Sequence, residues 1–211
     1  MANELDPKRT VLLFFDMQNG VAKKHDPTAP KQYESVISNS VKLLSAARAA
    51  GAAVAYTQHY TDKGVFRNRI TDTDSHLHPW PAEGPRGPGE VLLPGTWETQ
   101  IVDELTPQPE DFLIPKYRWN AFYQTCLDMM LRNRGIDTIV IVGGSTDFGV
   151  AGTAWAARDL DYNIVVVSDA CTSAEQDNHE QLMRRMFPRM GRVRTTDEVV
   201  RMFGWAATSR P

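Results

Sequence analysis

The stretch Val11-Leu12-Leu13-Phe14-Phe15 constrains the fold more than any other part of the chain: five apolar residues in a row, of strand length, stopping at Asp16. A strand with one wet face alternates apolar and polar residues, whereas a parallel strand covered on both faces needs unbroken apolarity. The run therefore reads as the central strand of a parallel sheet. Ala53 to Thr57, Phe112 to Ile114, Thr138 to Val142 and Ile164 to Val167 are further short apolar runs of buried character. Helical patterns lie between them. Val36, Ile37, Val41, Leu44 and Ala47 recur at helical spacing from Gln32 to Ala50, with Gly51 placed as a C-cap. Ala121 to Arg134 stops at Gly135, and Val150 to Leu160, Glu175 to Met186 and Asp197 to Phe203 follow. Strand and helix alternate, which predicts a parallel sheet with helices on both faces. Right-handed crossovers then gather the strand C-terminal ends along one edge, where a ligand crevice forms.

Such a sheet needs a sizeable core, and 211 residues supply one, enough to bury about 70% of the unfolded surface in a single domain spanning residues 1–211. With 42% apolar and 23% charged residues, and 14 glycines and 13 prolines, the chain is neither disordered nor collagenous. Lysine and arginine number 23 against 26 acidic residues, a net charge of -3, so no cationic surplus favours nucleic acid or an anionic membrane. A small-molecule ligand is the expected partner. The two cysteines, Cys126 and Cys171, form no C-x-x-C pair for zinc or dithiol chemistry, which points to a reducing cytoplasm. The polar N-terminus lacks a secretory apolar region, and no apolar stretch approaches a bilayer span, so no membrane segment is expected.

Reading the residue at each strand end gives Asp16, His59, Lys116 and the turn Gly143-Gly144-Ser145-Thr146-Asp147-Phe148-Gly149. An acid, a base and a glycine-rich turn leading into a helix would converge on one crevice, which is an active-site composition. A Lys116 ammonium beside Asp16 would hold it as a carboxylate and make the pair a tuned proton shuttle. The alternative is a plain salt bridge fixing two strand ends. The turn offers backbone N–H groups to an anion or developing oxyanion, or else it only packs a helix on its strand. It lacks the G-K-[ST] ending of a phosphate loop and the G-x-G-x-x-G order of a dinucleotide site. Thr61 to Thr96, rich in proline and glycine, reads either as a substrate-covering loop or as a surface or subunit-contact excursion.

Several of these pieces resemble, in register from about Thr10 to Phe203, the isochorismatase-like hydrolase family: Leu13-Phe14-Phe15-Asp16-Met17-Gln18, Lys116-Tyr117-Arg118-Trp119-Asn120-Ala121-Phe122, Gly143 to Val150, and Val167-Ser168-Asp169-Ala170. The resemblance implies a three-layer α/β/α fold with a six-stranded parallel sheet of order 3-2-1-4-5-6, and a homo-oligomer, dimer or tetramer. Most members of that family are cysteine amidases with an Asp, Lys and Cys triad, of which Asp16 and Lys116 match the first two. The third position is Gly149, which has no side chain to attack anything. True isochorismatases, which protonate a vinyl ether with the aspartate, share that glycine. From the same resemblance, a cis peptide bond precedes Ser145, and the amides of Ser145 and Gly149 form an oxyanion hole.

Neither cysteine is expected to replace the missing thiol, since Cys126 reads as core within a helix and Cys171 lies beyond the fifth strand. Ser145 and Thr146 have no histidine base adjoining them in sequence, and the turn is expected to position backbone donors instead. His76, His78, Asp72 and Asp74 resemble a metal-ligand cluster, but the Asp-x-His of zinc-bearing relatives is replaced by Thr57-Gln58-His59, so neither metal nor cofactor is expected. His59 reads as a pocket wall or a hydrogen-bond donor to substrate. Trp97, Trp119, Tyr123 and Phe148, with Gln18, complete the expected substrate contacts, and an aromatic wall suits a flat, ring-bearing molecule. For Trp97 and Tyr123, packing or a subunit contact is an equal alternative. The expected activity is hydrolysis of a C–N bond in a small amide, lactam or imide, isatin-like rings included. Asp16 would activate a water standing above Gly149. Vinyl-ether hydrolysis and a catalytically inactive binding protein are the alternatives.

Overall fold

The computed structural model describes residues 4–23, 32–61 and 92–208. Six strands, β1 (Thr10–Phe15), β2 (Ala53–His59), β3 (Phe112–Lys116), β4 (Thr138–Gly144), β5 (Asn163–Thr172) and β6 (Arg192–Arg194), form one sheet of order β3-β2-β1-β4-β5-β6, every pairing parallel. Among the described residues six α-helices accompany them: a single turn α1 (Asn19–Ala22), then α2 (Gln32–Ala50), α3 (Leu127–Asn133), α4 (Ala151–Asp159), α5 (Gln176–Gln181) and α6 (Thr196–Thr208). Among the described residues no helix is long and apolar enough to cross a membrane.

The unbroken apolarity of β1 has the expected cause, because all six of its residues are buried. Val11, Leu13 and Phe15 pack on the face covered by Leu131 of α3 and by Ala154 and Ala157 of α4. Leu12 and Phe14 pack on the opposite face, against Val36, Leu43 and Ala47 of α2 and Val199, Met202 and Phe203 of α6. Each large apolar side chain buried this way is worth about 1.5–3 kcal/mol. At one edge, β3 alternates instead, with Leu113 and Pro115 exposed, and an edge strand is where a proline is tolerated.

Two segments depart from the sequence reading. The helix expected over Ala121 to Arg134 is confined to Leu127–Asn133, because side chains capture the backbone before it. The Asn120 carboxamide oxygen accepts from the Phe122 N–H (2.8 Å), and Thr125 donates to the Ala121 carbonyl (2.5 Å) while accepting from the Leu127 N–H (3.2 Å). Cys126 consequently caps α3 rather than lying inside it. Cys171 lies within β5, not beyond it, paired with Gly143. The chain order places the C-terminal ends of β1 and β4 side by side at the switch point of the sheet, flanked by those of β2 and β3.

Candidate active site

Asp16 follows the last residue of β1 in a left-handed conformation (φ 51°). Its N–H donates to the Thr57 hydroxyl at 2.9 Å, and that hydroxyl donates to Asp16 Oδ1 at 2.6 Å. Lys116, the final residue of β3, reaches across β2 so that its Nζ lies 2.7 Å from Asp16 Oδ2 and 3.1 Å from the Arg118 carbonyl oxygen. The Lys116 side chain is 2% exposed and that of Asp16 11%, so the carboxylate, not the ammonium, is the partner open to the crevice.

β4 ends in the glycine-rich turn. Gly143 has φ 114°, and a Cβ there would fall 3.0 Å from the Phe15 carbonyl carbon, so the close approach of β1 and β4 requires glycine. The Gly144–Ser145 peptide is cis, as the resemblance implied. Thr146–Val150 follows as one wide turn closed by the Val150 N–H donating to the Ser145 carbonyl (3.1 Å). The turn is fastened from α5 and β5: Ser145, Ser173 (2.8 Å) and Asn178 (3.1 Å) all donate to Asp147, and Thr146 meets His179 Nδ1 at 3.0 Å. Burial pushes the Asp147 carboxyl up, but those donors together outweigh it and hold it below the usual carboxylate range.

The space above Gly149 is not open to water. A Cβ on Gly149 would stand 2.5 Å from Phe15 Cζ and 3.2 Å from Cδ1, so the phenylalanine ring fills that volume. The expectation of a water there is thereby corrected: Phe15, 1% exposed, is the largest side chain of the central strand's end and takes the room that glycine leaves. The same ring lies 4.5 Å from Lys116 Nζ, a cation–π contact.

His59 ends β2 in register with Lys116. Burial, and then the Lys116 ammonium, hold its imidazole below the usual histidine range, and its Nδ1 is buried without a hydrogen-bond partner. Gln18 does not face the crevice: fully buried, it accepts from the His59 N–H (2.7 Å) and donates to the carbonyls of His59 (3.2 Å) and Thr99 (3.0 Å). It clamps the two chain segments on either side of the proline- and glycine-rich stretch. Thr61 N–H and the Leu92 carbonyl close the same gap at 3.0 Å. Most of that stretch, with His76, His78, Asp72 and Asp74, lies outside the described residues. Trp97 begins the turn Trp97–Thr99, whose first carbonyl Asn19 grips (3.2 Å). Trp119 and Phe148 pair with ring centroids 4.9 Å apart and remain exposed, as does Tyr123.

Neither thiol is bonded to Asp16, Lys116 or the side chains of the turn. Cys171 donates weakly to the Ile141 carbonyl (3.7 Å) and burial pushes it up to about 12, while Cys126 Sγ rests 3.3 Å from Met130 Sδ. Sequence reasoning missed three contributors: Thr57, Phe15 and Tyr33, whose hydroxyl lies where a Cβ on Gly144 would run into it. The signal available for Thr57 was a small hydroxyl in the apolar run of β2, the strand beside Asp16. Tyr33, brought in by α2, left no local signal.

The Isochorismatase domain model matches residues 10–198. The chain belongs to the isochorismatase family. Membership of that family makes it a hydrolase, and the relatives agree across nearly the whole length. An uncharacterized isochorismatase family protein, YecD of Escherichia coli O157:H7, is 33% identical over 93% of this chain and 97% of its own. The ureidoacrylate amidohydrolase RutB of Rhizobium rhizogenes is 33% identical over 97% of this chain and 82% of its own. A solved cysteine hydrolase from Pseudomonas syringae pv. phaseolicola superimposes with a TM-score of 0.81 at 25% identity, covering 96% of this chain and 95% of the other.

Proposed function

We propose that this isochorismatase-family hydrolase opens a C–N bond in a small amide, lactam or imide, isatin-like rings included, by adding water directly rather than through a thioester. The observation that carries the reading is the buried Asp16–Lys116 pair at the switch point of the sheet, beside a residue 149 that has no nucleophilic side chain. An amidohydrolase among the relatives supports the C–N class. With the Gly149 side closed by Phe15, the attacking water stands at the open edge of the Asp16 carboxylate. Each carboxylate oxygen has a second lone pair beyond those taken by Thr57 and Lys116, so one can receive the water's proton as its oxygen attacks the carbonyl carbon. The amides of Ser145 and Gly149 hold the oxygen that becomes negative, and the proton on Asp16 passes to the leaving nitrogen as the C–N bond breaks. His59, with an unpartnered Nδ1 and a neutral ring, is the group proposed to orient the substrate, and the Trp119–Phe148 pair supplies a flat apolar wall.

Vinyl-ether hydrolysis also needs no nucleophile at residue 149, but there Asp16 must give up a proton. The Lys116 ammonium and the Thr57 hydroxyl both donate to its oxygens, an arrangement that presents acceptors rather than a donor to a substrate. The deciding experiment is turnover of an amide, lactam and imide panel in 18O-labelled water by the parent and Asp16→Asn. The parent should place label in the acid product within the first turnover, and Asp16→Asn should lose about two to four decades of kcat while staying folded at about 25 °C, with a lower Tm because the Lys116 ammonium loses its counter-ion. Turnover unaffected by Asp16→Asn, or none on any C–N substrate alongside vinyl-ether cleavage, would overturn the assignment.

A further inference from the structure

Phe15 has its backbone held by the tight β1–β4 approach at Gly143 and its ring directed along the face it shares with Val11 and Leu13. Ordinary carbon contacts lie near 3.5–4.0 Å, so a Cβ on residue 149 at 2.5 Å from Phe15 Cζ cannot coexist with the ring in its present seat. The ring also presents its face to Lys116 Nζ. We propose that Phe15 decides which chemistry this site performs: its ring occupies the seat of a residue-149 side chain and lies against the Lys116 ammonium, so that Phe15 and Gly149 act as one coupled unit that closes the site to covalent catalysis. The inference rests on the proposed function only in taking Asp16 and Lys116 as the reacting centre, and its test needs no substrate.

Residue 149 should tolerate a side chain only when Phe15 is cut back. Gly149→Ala alone should lower Tm by roughly 2–12 °C, the overpacking penalty for a chain of this size. Combined with Phe15→Val, the loss should be smaller than the sum of the two single losses, because each change makes room for the other. Strictly additive losses would overturn the coupling. Whether that seat lies within reach of the Lys116 ammonium is read with iodoacetamide in a Cys126→Ala background: the thiolate displaces iodide, forming the C–S bond as C–I breaks, and buffer takes the thiol proton. In Phe15→Val, Gly149→Cys the introduced thiol should react with a pH midpoint below the value of about 8.5 for a free thiol, since Lys116 stands beside it. Adding Lys116→Met should raise that midpoint. In Gly149→Cys with Phe15 intact, alkylation should be at least tenfold slower, or the fold lost, in which case Gly149→Ala carries the test. Equal alkylation rates with and without Phe15 would show that the ring does not hold the seat, and a midpoint indifferent to Lys116→Met would show that the vacated seat does not lie beside the ammonium, which would overturn the claim that Phe15 closes the site to covalent catalysis.

Discussion

Replacing Lys116 by methionine keeps an unbranched apolar stem one atom shorter and removes the ammonium with its bonds to Asp16 and the Arg118 carbonyl, leaving the Asp16 carboxylate buried without that counter-ion. At 2.7 Å the two charges attract with a gross energy of about 6 kcal/mol at an effective dielectric of ~20, most of which is consumed in stripping both groups of water. Breaking such a pair from one side is far costlier than removing it whole: the stranded charge destabilises by about 3–5 kcal/mol. In a domain of this size each kcal/mol moves Tm by about 2–4 °C, so Lys116→Met should melt roughly 6–20 °C below the parent at pH 7. Adding Asp16→Asn to the same chain discharges the stranded group while leaving Thr57 a partner, and should recover most of that loss. Both variants should be inactive. Calorimetry of the parent, Lys116→Met and the double variant therefore separates stability from catalysis. A Lys116→Met melt within about 2 °C of the parent, or a double variant no more stable than the single one, would refute the account of Asp16 as the charge left behind.

Thr57→Val leaves the Asp16 N–H buried without its acceptor and frees one carboxylate oxygen, so stability should fall by about 1–3 kcal/mol in denaturant melts and kcat should drop with it. Burial holds both His59 and His179 below the usual histidine range, so the unfolded chain takes up protons that the folded one refuses. The stability they contribute is present above about pH 6.5 and is lost as pH falls through their lower folded values; melts from pH 7.5 to 5 should show the decline, and His179→Gln should flatten it. A double Cys126→Ala, Cys171→Ala variant should keep most of its kcat, with intact-mass spectra after acid quench showing no adduct on the parent during turnover, since Cys171 is too buried and too weakly acidic to act as a thiolate.

Much of this architecture was legible in the sequence because it rests on continuous burial. The runs ending at Phe15 and Val142 announced the two central strands, and the polar residues just beyond the strands announced Asp16, His59 and Lys116. β6 was illegible residue by residue: Arg192-Val193-Arg194 is a three-residue edge strand with no apolar run to mark it. The 121–126 stretch carries a helical pattern that local side-chain bonds from Asn120 and Thr125 override. Gln18 was read as a substrate contact because its position beside Asp16 is visible and its three backbone bonds are not. The filling of the Gly149 space was hidden for the same reason: a glycine says that room exists, and only packing says whose ring enters it.

The clamp formed by Gln18 separates the chemistry of this protein from the length of the chain inserted beside it. Residues 61 and 92 are joined by a hydrogen bond, and His59 and Thr99 are held by one carboxamide, so whatever lies between them departs and returns at a fixed gap. Closing a loop across a fixed gap costs free energy that rises only with the logarithm of its length, about 0.6 kcal/mol for each doubling. Insertions and deletions in that stretch are accordingly cheap, while a shift of one residue in β1 or β3 would turn Asp16 or Lys116 to the opposite face of the sheet. Length can in this way change between residues 61 and 92 while the register of β1 and β3 keeps Asp16 and Lys116 together.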